Sequence, residues 1–326
     1  MKGSDTKSTT KRNTRKSIDL SIIIVTYNVK FLLLELINGL DEIIKTSNLN
    51  IEIIIIDNGN DDTYKIFGSQ FNPSKTKHSK YIKYIKNKDN VGFSKANNQG
   101  YKLSTGKYIL VLNPDTKLSK DTCDVMYTYM EKHKDIALST CKVLLPDGTL
   151  DKACMRQFPS IKNSLGKLFY LSKISPIFRG YNIDSPTNKE TEIDSCTGAF
   201  MFIRRTSIEK SLHGSALFDE TFWAMGEDID LCYRLKKDGG RIMYYPKTSI
   251  IHYKGASGGI KESSRKYTKA DNKTKKRWIR AGYKSMWIFY KKHYFKNHNF
   301  IINYIVFLGI QTLYTQRLLK LLITKK

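Results

Sequence analysis

The stretch LSIIIVTYN (Leu20–Asn28) decides the fold. Its apolar part is β-branched and carries no alternating polar positions. Such a run reads as a strand covered on both faces, which is the habit of parallel sheets. It then breaks into the polar cluster Thr26-Tyr27-Asn28. The same pattern occurs twice more: IEIIII (Ile51–Ile56) runs into Asp57-Asn58, and KYILVL (Lys107–Leu112) runs into Asn113-Pro114-Asp115. In open α/β sheets, ligands collect beyond the carboxyl ends of the strands. Tyr27, Asp57 and Asp115 are therefore expected on one rim.

Working outward, helices are expected over 30–45, 93–104, 119–132 and 227–238, with further strands over 81–86, 198–204 and 241–251. In the first helix, Phe31, Leu34, Leu36, Ile37, Leu40, Ile43 and Ile44 supply an apolar face. Gly106 stops the second helix, and Gly239-Gly240 closes the last. Residues 67–79 read as loop. The stretch 155–192 carries Pro159, Pro176 and Pro186 and reads as irregular, a candidate loop over an active site.

The chain has 326 residues and is 40% hydrophobic, enough for one large α/β domain and an appendage. Net charge is +26, from 56 Lys and Arg against 30 Asp and Glu. That surplus favours an anionic partner: nucleic acid, anionic lipid or phosphorylated substrate. The five cysteines form no CxxC pair and no zinc spacing, which fits buried thiols in a reducing compartment. Residues 1–17 read as a disordered basic arm without the apolar run of a secretory signal. From residue 261 the composition shifts. Lys and Arg interleave with Tyr267, Trp278, Tyr283, Trp287, Phe289, Tyr290, Tyr294 and Phe295, and an apolar segment FIINYIVFLGIQTLY (300–314) follows. Fifteen residues fall short of the roughly 20 that span a bilayer, so an interfacial segment is expected.

Several residues carry both a chemical and a plain structural reading. Asp57 suits a ribose hydroxyl or base N–H, or a turn cap. Asp115 offers a hard oxygen ligand to Mg²⁺ or Mn²⁺, or closes a Pro-Asp turn. Glu227 and Asp228 open a helix, where the N–H dipoles favour ionised carboxylates; such a group is a workable general base or a simple helix stabiliser. Asp230 suits the latter role, with Arg234 as its i,i+4 partner. His252 is a metal ligand or a hydrogen-bonded strand end. Trp223 is a platform for a sugar face or core material.

Taken in order, Thr26-Tyr27-Asn28, Asp57-Asn58, Asn90-Val91-Gly92-Phe93 with Ala96-Asn97, Asn113-Pro114-Asp115, Thr197-Gly198-Ala199, Gly226-Glu227-Asp228-Ile229-Asp230-Leu231 with Arg234, and His252-Tyr253 resemble the family 2 glycosyltransferases of the GT-A fold, rhamnosyltransferase-like branch. The resemblance implies an α/β, Rossmann-like, mostly parallel central sheet flanked by helices, with a C-terminal basic and aromatic helical extension. It divides the chain into the arm 1–17, a catalytic domain 18–260 and the extension 261–326.

It further implies an inverting enzyme that uses a nucleotide-diphospho-sugar, with dTDP-rhamnose suggested as donor, and a glycan or lipid-linked acceptor. Asp228 takes the place of the catalytic base, with Glu227 as the alternative. Thr26, Tyr27, Asn28, Asp57, Gly92, Asn97, Asn113 and Asp115 would bind the nucleotide-sugar, and Thr197, Gly198 and Trp223 would line the acceptor pocket. Asp115 and His252 would hold a divalent metal, Mn²⁺ or Mg²⁺, with Asn113 standing where the family's metal motif usually has its first Asp. The expected location is cytoplasmic, peripheral on the inner face of an anionic membrane. The alternative is a basic nucleic-acid-binding protein, supported by the charge and the Lys/Tyr/Trp tail but leaving the rim motifs without a job.

Overall fold

The computed structural model describes residues 17–65, 81–161, 183, 187–211, 216–255 and 272–323. The arm (to residue 16), the 67–79 loop and most of the 155–192 stretch lie outside them.

Strands β1 (Leu20–Thr26), β2 (Ile51–Asp57), β3 (Ile82–Lys86) and β4 (Tyr108–Leu112) pair in parallel, in the order β3-β2-β1-β4. Every residue of β1, β2 and β4 is buried, as their unbroken apolar runs require. Register then fixes the rim. Thr26 lies opposite Asp57, Asp57 opposite Lys86, and Ile24 opposite Leu112, so the three polar clusters leave the sheet along one edge.

Beyond β4 the sheet becomes mixed. Strand β5 (Thr116–Leu118), β6 (Ile136–Leu144), β7 (Thr191–Glu192), β8 (Phe200–Arg204) and β9 (Arg241–His252) complete nine strands in the order β3-β2-β1-β4-β8-β6-β9-β5, with β7 on β9. Here β4–β8, β6–β8, β5–β9 and β7–β9 are antiparallel and β6–β9 is parallel. Sequence reading gives no strand at β5 or β6. In β6 the buried Ser139 and Thr140 interrupt the apolar run. They are tolerated because Ser139 Oγ donates to Met243 O at 3.1 Å and Thr140 Oγ1 to Phe200 O at 2.9 Å.

Helices α1 (Lys30–Thr46), α2 (Phe93–Leu103), α3 (Thr122–Lys132), α4 (Arg205–Ser211) and α5 (Glu227–Lys237) join these strands. Helix α1 buries Leu32, Leu33, Leu36, Ile37, Leu40 and Ile43. Phe31 is not part of that face: it is 73% exposed, with the Lys30 ammonium 5.1 Å from its ring centroid.

Two long helices end the described chain, α6 (Asn272–His293) and α7 (Phe300–Ile323). Helix α6 buries Ile279, Ser285, Phe289 and Tyr290. Phe289 stacks edge-on against Tyr233 of α5, with centroids 5.7 Å apart. Helix α7 packs on α6 through Asn303, whose Oδ1 accepts from Tyr290 Oη at 2.7 Å. Among the described residues no helix is long and apolar enough to cross a membrane.

Candidate active site

The rim of β1 and β4 faces the N-terminus of α5 across a cavity of about 1340 Å³. Tyr27, Asn58, Asn90, Asn113 and Pro114 line the strand side; Thr197, Gly198, Trp223, Glu227 and Asp228 line the other. The structure thus brings together Tyr27, Asn113, Thr197, Gly198, Trp223, Glu227 and Asp228 from the sequence reading. Thr26, Asn28, Asp57, Gly92, Asn97, Asp115 and His252 are not on its wall.

Their contacts explain why. Thr26 is fully buried in β1. Asn28, at φ 55°, accepts from Asn60 N at 2.8 Å and shapes the loop. Asp57 is fully buried; it accepts from Gly59 N at 2.7 Å, from Lys86 Nζ at 2.8 Å and from Tyr84 Oη. The Asp57 carboxylate therefore closes an Asx turn and neutralises a lysine, as the capping reading expects. Asn97 Nδ2 donates back to Phe93 O at 3.0 Å inside α2, and the side chain is fully buried rather than reaching outward.

Gly92, at φ 94°, gives close approach to Trp223. A Cβ there would meet Trp223 O at 2.5 Å and the Trp223 ring at 2.6 Å. Trp223 is itself covered: the Arg277 guanidinium of α6 lies 4.0 Å from its ring centroid, and Trp278 meets it at 5.9 Å. The indole is a junction between the Gly92 turn and α6.

Helix α5 starts at Gly226 in a left-handed turn, φ 88°, packed on Phe222 and Ser285. Three acids follow in its first turn. Asp228 is not a lone carboxylate. Its Oδ2 accepts from Arg156 Nη2 at 2.7 Å and Gly198 N at 3.2 Å, and its Oδ1 from Ile229 N at 2.8 Å. Arg156 also donates to Cys196 O. The ion pair with Asp228 outweighs burial and raises the Arg156 pKa further. Sequence reading missed Arg156, because nothing in Met-Arg-Gln-Phe marks it.

Glu227 is buried beside Asp228 and its Oε2 has no hydrogen-bond partner. Burial, then the charge of Asp228, pushes its pKa up to about 8. Asp230 is fully buried and binds Arg234 Nε at 2.7 Å as expected, but also His293 Nε2 at 2.7 Å and Lys292 Nζ at 2.8 Å. It fastens α6 to α5.

Behind the strand side lies a second ionic cluster. Thr116 pairs with His252 across β5 and β9, which sets Asp115 beside the imidazole. His252 Nε2 is 3.4 Å from Asp115 Oδ1 and its Nδ1 is 3.6 Å from Asp151 Oδ2. Asp151 also takes Lys254 Nζ. Burial opposes a charged imidazole, yet the two carboxylates prevail and lift His252 to about 9. Burial likewise opposes the Asp151 charge, and the hydrogen bonds from His252 and Lys254 hold its carboxyl far below the usual range. Asp151, absent from the sequence reading, completes this cluster. Among the described residues no group of three His, Cys, Asp or Glu is arranged to hold a metal ion.

Residues 21–212 match the model of glycosyl transferase family 2. The chain belongs to glycosyl transferase family 2. Among its relatives is the rhamnosyltransferase WbbL of Escherichia coli (strain K12), 29% identical over 153 residues, covering 47% of this chain and 54% of that protein. Another is the N-acetylglucosaminyl-diphospho-decaprenol L-rhamnosyltransferase of Mycobacterium tuberculosis (strain ATCC 25618 / H37Rv), 24% identical over 157 residues, 47% of this chain and 48% of the relative. The low-salt glycan biosynthesis hexosyltransferase Agl10 of Haloferax volcanii is 23% identical over 72% of this chain and 67% of its own length. The chain thus spans about half the length of the two rhamnosyltransferases.

The fold is similar to the mannosyltransferase PcManGT of Pyrobaculum calidifontis in complex with GDP-Man and Mn²⁺, with a TM-score of 0.53, 15% identity, 84% of this chain and 63% of that one. It is also similar to GalNAc-T7 with UDP, GalNAc and Mn²⁺, with a TM-score of 0.51, 14% identity, 73% of this chain and 44% of that one. The sheet and its flanking helices are those of the GT-A fold, as the sequence motifs imply.

Proposed function

We propose that the protein is an inverting glycosyltransferase that moves a sugar from a nucleotide-diphospho-sugar to a polyprenyl-linked glycan acceptor. The observation that supports it best is the shared cavity: the polar ends of β1 and β4 open onto the same space as Glu227 and Asp228. Tyr27 and Asn113 lie where the nucleotide would stack and hydrogen-bond. Asp228 serves as general base. It takes the proton of the acceptor hydroxyl as that oxygen attacks the anomeric carbon and the nucleoside diphosphate leaves. Arg156 and Gly198 N–H position its carboxylate. The names of the relatives favour a rhamnosyl donor and a lipid-linked acceptor. In this reading residues 18–260 form the catalytic domain and 261–326 its helical extension at a membrane surface.

Asp115 and His252 are the residues that would hold a divalent ion. One carboxylate and one imidazole side by side are a donor set suited to Mn²⁺, but in the ligand-free arrangement the two pair with each other behind the cavity wall, so an ion shared with the diphosphate requires His252 to give up its proton and the pair to open toward the cavity. When bound, it supplies charge neutralisation for the departing diphosphate.

Glu227 is the second reading for the base, favoured by its unpartnered Oε2 and its raised pKa. The nucleic-acid reading loses support because Lys292 and Arg277, part of the basic tail, are spent on internal contacts with Asp219, Asp230 and Trp223. The test is release of sugar from a panel of nucleotide sugars with Mn²⁺, beginning with dTDP-rhamnose. Absence of nucleotide binding across the panel would overturn the proposal.

A further inference from the structure

The cavity is larger than its donor and acceptor sugars need. Ordinary small-molecule sites occupy roughly 300–1,000 Å³, against about 1340 Å³ here. The excess runs away from Asp228 into a trough between α6 and α7. Its walls there are Tyr283, Met286, Ile302, Val306, Ile310 and Leu313. Gln316 and Arg317 line it as well, where Tyr314 of α7 meets Tyr283 of α6. A polar sugar gains nothing from such walls.

The trough is also open to one side. Phe300, Ile301, Tyr304, Ile305 and Leu308 share one face of α7 and are 45% exposed or more, Phe300 reaching 80%. Ile305 and Leu308 belong both to this exposed face and to the trough lining. An apolar guest could therefore pass from a lipid surface into the trough without crossing water.

The geometry points to the α6–α7 hairpin as the seat of the acceptor's polyisoprenyl chain, with the chain in the trough and its phosphate-linked sugar head at Asp228 and Arg156. This inference rests on the glycosyltransferase reading above and names the part of the molecule that recognises the acceptor's lipid. Continuity with the acid pair sets the direction: the head must lie toward α5 because the polar groups are there. Hydrocarbon burial supplies the affinity.

The test uses the full chain and geranyl, farnesyl and geranylgeranyl diphosphates as probes, titrated by calorimetry with a saturating nucleoside diphosphate present. Wild type is expected to bind more tightly with each isoprene unit, by about tenfold or more from the shortest probe to the longest. Val306→Asp and Leu313→Asp, which place a charge in the trough, are expected to flatten that dependence. Ile323→Asp, exposed and away from the trough, is expected to keep it. The proposal is overturned if affinity is independent of chain length in wild type, or if Ile323→Asp flattens it as fully as the trough variants. Nucleoside diphosphate affinity, measured on the same proteins, reports separately on the transferase reading: its absence sinks that reading, while retained nucleotide binding without chain-length dependence sinks the lipid seat alone.

Discussion

Two ionic clusters flank the cavity, each with two carboxylates but with different numbers of cations. Behind the strand rim, His252 and Lys254 sit among Asp115 and Asp151, so two cationic groups answer two carboxylates. At the start of α5, Glu227 and Asp228 share a single guanidinium from Arg156. The balanced cluster holds its proton on the imidazole. The unbalanced one holds its proton on Glu227. A buried set of charges settles toward neutrality, and which group carries the proton depends on how many cations the fold delivers. In the proposed function the strand-side cluster would exchange its cationic proton for a metal ion, whereas the helix-side cluster would present one carboxylate to the acceptor hydroxyl.

The largest effect should come from the oriented carboxylate. Asp228→Asn is expected to lower turnover by about 10²-fold or more, with donor affinity near normal. Near-normal turnover in Asp228→Asn with an inactive Glu227→Gln would transfer the base to Glu227. Removing the cation should come next. Arg156→Met leaves the Asp228 carboxylate without the guanidinium that orients it, so turnover is expected to fall by about tenfold or more with donor affinity near normal, and Arg156→Lys should restore part of the loss. Unchanged turnover in Arg156→Met would detach Arg156 from the base.

On the other cluster, Asp115→Ala and chelation by EDTA are each expected to weaken donor binding, with Mn²⁺ restoring the chelated wild type only. Full activity in EDTA would leave His252 and its carboxylates as a structural ion network. The smallest effect is on stability. Glu227 has a folded-state pKa raised from 4.5 to about 8. The native state therefore binds the extra proton between those values, and wild type loses stability as pH rises through that window. Glu227→Gln removes this loss, so its Tm relative to wild type should climb from pH 5 to pH 8. A constant Tm difference would mean that Glu227 does not hold its proton in the native state.

Legibility in the sequence followed the range of the interactions. β1, β2 and β4 could be read because their burial is written in consecutive residues, and their register placed Tyr27 and Asn113 at the cavity. The pairing of Asp230 with Arg234 was legible from i,i+4 spacing. β6 was not, since Ser139 and Thr140 become acceptable only against β8 and β9. Arg156 and Asp151 could not be found either, because each acquires its role from a partner far along the chain. Asp57 shows the converse: its strand-end position suggested a ligand, and its partners within the fold, Lys86, Tyr84 and Gly59, could not be read from the sequence.

Trp223 has a consequence of another kind. The indole is wedged between Gly92 of the donor rim and Arg277 of α6, and Phe93 N donates to Trp223 O at 2.7 Å. It works as a keystone, with the Gly92 turn and the α6–α7 hairpin leaning on opposite sides of one ring. A side chain at position 92 would therefore act like a shim driven under that stone. Displacement at the rim would tilt the far arch, and a pull on the hairpin would be felt back at the rim.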